Sequence, residues 1–109
     1  MSKGKDLTKI VERLEALEER LGVSIEAVYA VYTENGSLIV NYDLHSRDGG
    51  QLSTNISIKL AVYDGAGRLI HEEGRWHGEE EFFGLESQHF EIQMDGPDIA
   101  NIRLYPIAD

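Results

Sequence analysis

Between residues 7 and 21 the apolar side chains Leu7, Ile10, Leu14, Leu17 and Leu21 recur at alternating spacings of three and four, the period of one helical face. Asp6 stands where an N-cap carboxylate would accept the first free amides, and Gly22 where a left-handed residue would end the helix. The pattern predicts an amphipathic helix of about four turns. Beyond Gly22 the period changes to two. Leu38, Val40, Tyr42 and Leu44 alternate with Ser37, Asn41, Asp43 and His45, and the run before them ends in Asn35-Gly36, a strong hairpin signal. A two-residue turn there opposes Glu34 to Ser37, which sets Val31 against Val40, Tyr29 against Tyr42 and Ala27 against Leu44 on one apolar face. The other face of this register, with Val28, Ala30, Tyr32 and Ile39, is too apolar for open water and calls for a cover.

Alternation continues over residues 52–63, with Leu52, Thr54, Ile56, Ile58, Leu60 and Val62 on one side, and predicts a third strand. A fourth is expected over residues 68–77. Phe90, Ile92 and Met94 mark a fifth, Ile102 and Leu104 a sixth, and Gly96-Pro97 separates those two. In "YDGAGRL", between the third and fourth, two glycines permit positive φ and Asp64 can accept from its own downstream amides, as a tight turn requires. A phosphate cradle of the G-x-G kind needs a helix after the glycines, whereas "RLIHEEGRW" reads as strand, so the stretch is a bend. Short strands spaced by turns predict a mainly β fold: an antiparallel sandwich of six or seven strands with one N-terminal amphipathic helix. The expected division is a helix over residues 1–22 and a β-sandwich domain over residues 23–109.

The combination "IKLAVYDGAGRLI" and then "FFGLESQHFEI" resembles the small immunoglobulin-like sandwich domains named for the F-x-L-Y-D pattern, the FxLYD type. Tyr63, Asp64, Gly67 and Phe90 occupy the places of the Tyr-Asp turn, the following Gly and the later Phe, with Leu60 and Val62 at the earlier positions. The likeness covers residues 37–107. It implies an immunoglobulin-like scaffold and no particular chemistry.

Charge narrows the partners. Twenty acidic residues against ten basic ones give a formal net charge of -10, which repels phosphate backbones and anionic lipid surfaces, so neither nucleic acid nor membrane is expected. The opening "MSKGKDLTKIVERL" carries charges close behind Met1 and no uninterrupted apolar run; it predicts neither signal peptide nor transmembrane helix, and a cytoplasmic location. The absence of cysteine removes disulfides, thiolate nucleophiles and Cys-based zinc sites.

Candidate chemistry is sparse. His71 and Glu73 share one face of the fourth strand with His77 farther along, and His89 and Glu91 repeat the spacing on the fifth; neighbouring strands would make them zinc ligands. A solvated sheet face gives the same pattern, and no metal or cofactor site is expected. Glu79, Glu80 and Glu81 lack the alternating oxygen donors of a calcium loop and read as a solvated acidic loop. No G-x-S-x-G, H-E-x-x-H or P-loop occurs, so no catalytic residue and no enzyme activity are expected. Trp76, Phe82 and Phe83 flank the acidic loop, where large aromatics either close a core or anchor a partner; core closure is the favoured reading.

An isolated helix of this length is marginal, so its stripe needs a surface to cover it. With Leu7, Leu14 and Leu21 at heptad position a and Ile10 and Leu17 at d, Arg13 falls at g and can meet Glu18 at e of a second copy. The competing site is intramolecular, on Val28, Ala30, Tyr32 and Ile39. The sequence reading is a non-enzymatic protein interaction or assembly module that forms a homo-oligomer partly through Leu7, Ile10, Leu14, Leu17 and Leu21. Its alternative is a small-ligand or metal-binding sandwich using the His71 and His89 face.

Overall fold

The computed structural model describes residues 4–94 and 98–108 of the 109-residue chain. Strand β1 (Lys5–Asp6), a 3-10 turn (Thr8–Ile10), β2 (Val11–Arg13) and helix α1 (Glu15–Leu21) precede six longer strands. These are β3 (Val23–Tyr32), β4 (Ser37–Ser46), β5 (Ile56–Asp64), β6 (Leu69–His77), β7 (Leu85–Gln93) and β8 (Ile99–Ala108). They form two four-stranded sheets, in the orders β1-β3-β4-β7 and β2-β8-β5-β6. Every described pair is antiparallel except β2 with β8, which is parallel. One core lies between the sheets, built from Ile25, Leu38, Val40, Leu44 and Phe90 on one side and Ile56, Ile58, Leu60, Ile102 and Leu104 on the other. The chain is therefore mainly β. Leu52 is buried but lies in the connection before β5, and the expected break at Gly96-Pro97 falls outside the described residues.

The segment upstream of Glu15 departs from expectation. The stripe over residues 7–21 is α-helical only at Glu15–Leu21, closed by Gly22 in the left-handed region at φ 71°. Upstream, the chain is spent on two sheet edges. Lys5 and Asp6 pair with Tyr32 and Val31, and Val11, Glu12 and Arg13 pair with Ile102, Arg103 and Leu104. Asp6 accepts the Thr8 amide at 2.9 Å, so its carboxylate caps the 3-10 turn instead of a long helix. Leu7 crosses from one sheet toward the other and buries its side chain in the core at 5 % exposure. The extended form wins because β3 and β8 offer open edges: a strand segment laid there gains ladder hydrogen bonds and keeps its apolar residues buried, which a free helix of this length cannot.

The hairpin register is also one residue off. Thr33 donates to the Ser37 carbonyl at 2.8 Å and Gly36 to Thr33 at 3.1 Å, so the loop holds Glu34, Asn35 and Gly36, with Gly36 at φ 83°. Tyr32 then pairs with Leu38, Val31 with Ile39 and Ala30 with Val40. Because side chains alternate, that slip sends Ala30 inward and Tyr29 and Val31 outward. The three-residue loop with a left-handed glycine is the next most common hairpin after the two-residue turn. The bend at "YDGAGRL" holds as a turn: Asp64 accepts the Ala66 and Arg68 amides at 3.0 and 2.9 Å.

Side chains close the exposed edge of β3 where no strand lies. Thr8 Oγ1 accepts from the Ala30 amide at 3.1 Å, Glu18 accepts from the Ile25 amide at 3.2 Å, and Arg13 donates to the Ile25 carbonyl. Arg47 donates to the Val23 carbonyl at 2.8 Å. Edge groups that would otherwise recruit another strand are thereby used within the chain. At the opposite side of the sandwich, β6 and β7 each have a neighbouring strand on one side only among the described residues.

Candidate functional site

The two H-x-E pairs lie apart. β6 and β7 belong to different sheets, and the two pairs face different sides of them. His71, Glu73, Arg75 and His77 pair across with the core residues Val62, Leu60, Ile58 and Ile56, which turns all four toward the space between the sheets. His89 and Glu91 pair with Asn41 and Ile39 on the outer face of the other sheet. Among the described residues no group of three or more His, Asp or Glu side chains is placed to hold a metal ion.

The inward residues of β6 form a polar seam along the open side of the sandwich. Glu73 takes His71 Nε2 at 3.2 Å on one oxygen and Arg75 at 3.1 Å on the other. Arg75 reaches over the Phe90 ring, 4.9 Å from its centroid, and its Nε donates to the His89 carbonyl on β7 at 3.1 Å. Deeper, His77 stands between two partners: its Nε2 meets Tyr42 Oη at 2.8 Å, and its Nδ1 meets the Glu86 carboxylate. The Phe82 ring lies edge-on to the imidazole at 6.3 Å. A neutral imidazole carrying its proton on Nδ1 satisfies both contacts, donating to Glu86 and accepting from Tyr42. Tyr–His–carboxylate chains can move protons; here the Tyr–His end is closed to solvent, while the Glu86 side chain is 33 % exposed. His77 and Tyr42 are each 1 % exposed, and burial pushes the Tyr42 phenol well above its ordinary range. The network joins the two sheets, since Tyr42 and Glu86 belong to one and His77 to the other.

Of the three aromatics at that end, Phe82 closes the core, whereas Trp76 is 54 % and Phe83 81 % exposed. Leu69 and Ile70, at the start of β6, are exposed too. Trp76 pairs with Ser57 on the outer face of the β5 sheet.

The stripe residues assigned to an oligomer contact sit mostly against the chain's own core. Leu7 is inside it, Ile10 and Leu21 pack against it, and Leu14 and Leu17 are half-buried. Glu18, at the heptad position reserved for a partner's Arg, is itself buried against β3.

Sequence reasoning missed one surface. Between Glu26 and Tyr29 the β3 register shifts against β4, and Ala27 takes φ 53°, the left-handed region for a residue with a side chain. Opposite this bulge the outer face of the sheet carries a recess of about 250 Å3 lined by Ala27, Asn41, Asp43, Ser87, Gln88 and His89. No spacing in "EAVYA" announces an extra residue, because the apolar pattern survives on either side of it.

No helix among the described residues is long and apolar enough to cross a membrane. Comparison with family models, with curated proteins and with solved structures finds no match to this chain.

Proposed function

We propose that the chain is a non-enzymatic interaction module that self-associates, and that the contact runs along β6. The observation that carries this reading is an open nine-residue edge strand flanked by exposed Leu69, Ile70 and Trp76, while the β3 edge is closed by side chains. Pairing two copies of β6 antiparallel about Glu73 extends each sheet into its neighbour and sets Ile70 opposite Trp76 twice, by symmetry. The central Glu73 side chains do not oppose this, since each already ion-pairs with Arg75 of its own chain and hydrogen-bonds His71. Glu72 falls opposite Gly74, over which the Lys59 side chain lies.

The N-terminal stripe gives this reading little support, since the chain's own sheets cover much of it. An immunoglobulin-like affiliation is proposed at the level of architecture. The two mainly antiparallel sheets and the Tyr63-Asp64 turn support it, while β3 lies beside β4 and β8 beside β5, neighbours that the immunoglobulin order does not join. The absence of nucleic-acid and membrane partners is proposed on the charge of -10, and cytoplasmic residence on the absence of cysteine, which fits a reducing compartment.

Light scattering coupled to size exclusion tests the reading. A dimer is expected for the full chain, and a folded monomer for Trp76→Lys and for Ile70→Lys. A full chain that stays monomeric at high micromolar concentration overturns it, as does a dimer indifferent to both substitutions.

A further inference from the structure

The outer face of the β3–β4–β7 sheet carries a second surface, independent of the β6 edge. We infer that the recess at the Ala27 bulge binds a neutral, polyhydroxylated ligand of the sugar class, one ring at a time.

Strands β3, β4 and β7 contain no Lys or Arg, while Asp43 lines the recess and Glu26 is its cross-strand partner. An anion would meet a carboxylate there and no fixed cation to offset it. A cation needs acceptors only, and the lining offers donors as well: the amides of Asn41 and Gln88, and the His89 ring. Hydroxyl groups need both at once. The Ser87 hydroxyl donates to Asp43 Oδ1 at 2.5 Å, which orients the carboxylate and leaves Oδ2 to accept a ligand hydroxyl. Asn41, Gln88 and His89 make no side-chain hydrogen bond to other described residues, so their polar groups are available to a ligand.

Shape agrees with chemistry. Tyr29 is the cross-strand partner of the lining residue Asn41 and 46 % exposed, which places an exposed aromatic beside the recess on the same outer face. An exposed aromatic beside paired amide and carboxylate groups offers a flat apolar platform for the C–H face of a sugar and planar partners for its hydroxyls. The bulge makes the depression: two residues of β3 oppose Tyr42, the local strand bends, and the sheet opens at Ala27. At about 250 Å3 and open to solvent, the recess suits a single ring with its neighbours left outside.

The test is an amide NMR titration of the full chain with the methyl glycosides of glucose, galactose, mannose and N-acetylglucosamine, with a trisaccharide of any that binds, and with spermidine as a cationic probe. Saturable shifts confined to Ala27, Tyr29, Asn41, Asp43 and residues 87–89 are expected with at least one neutral glycoside. Tighter binding of the trisaccharide assigns a glycan as the source, and equal binding a free sugar; both support the proposal. Tyr29→Ala and Asn41→Ala, on the outer face and away from the core, should each weaken binding about tenfold while the dispersion of the spectrum is kept. Shifts with spermidine and with no neutral glycoside overturn the proposal, as does the absence of any saturable response or a response unmoved by both substitutions.

Discussion

At Glu18 two demands meet: β3 needs an acceptor for the Ile25 amide, and the acceptor must stand out of water. One oxygen is used. The other has no hydrogen-bond partner among the described residues, with Arg13 Nε at 3.8 Å the nearest compensation. Burial therefore raises the Glu18 carboxyl above its ordinary 4.5, against the opposing pull of the Ile25 amide and of Arg13. Between 4.5 and that raised value the folded chain holds a proton that the unfolded chain has lost, so this group makes stability fall as pH rises through the interval. Glu18→Gln keeps an acceptor for Ile25 without the charge. We expect the wild-type denaturation midpoint to decline relative to the Gln variant as pH rises from 4.5 toward neutrality; parallel curves would refute it. Asp6, Asp48 and Asp64 act with opposite sign. Hydrogen bonds from Thr8, Ser46 and Arg68 hold them below 3.8, so both proteins should lose stability together as pH falls through that region.

Among the elements, the N-terminal segment separates pattern from outcome most clearly. If Leu7 lay in a contact between copies, Leu7→Ala would dissociate an oligomer and leave the domain's unfolding unchanged at high dilution. Because Leu7 lies in the core, truncation should cost roughly 2–5 kcal/mol at any protein concentration, measured as a shift in the denaturant midpoint. A concentration-dependent loss would return Leu7 to an interface. The strands, the turn at Asp64 and the Gly22 stop were legible because each depends on local chemistry: alternation, a carboxylate aimed at its own amides, a residue free to take positive φ. The long helix was not, since the choice between helix and strand edge is made by β3 and β8, distant in sequence. The register of the hairpin turned on whether Thr33 closes against Ser37 or Leu38, a matter of one residue that the apolar pattern fits either way. The same limit hid the seam: His71, Glu73, Arg75 and His77 look like a solvated face until β6 is known to be an edge whose inward side meets polar groups of β7. It hid the recess too, because its polar groups are set by strand pairing and not by spacing along the chain.

At the scale of the whole molecule the two sheets are fastened at both sides by different means. On one side Arg75, His77 and Glu86 bridge β6 to β7 through polar groups; on the other the chain itself passes from β1 to β2, one segment shared between both sheets. The second fastening also fixes how load would travel. Since β2 and β8 run parallel, force applied between the start of β2 and the end of β8 acts along the strands in opposite senses. The rungs joining Val11, Glu12 and Arg13 to Ile102, Arg103 and Leu104 are then sheared together, whereas a hairpin pulled from its open end loses its bonds one after another. Forced unfolding reports the barrier rather than the equilibrium. Single-molecule stretching between residues 11 and 108 should therefore meet a higher rupture force than stretching between residues 23 and 46, the paired open end of the β3–β4 hairpin. Tied in this way, the sandwich resists tension applied between β2 and β8, and equal forces in the two geometries would show that three rungs are too few to do so.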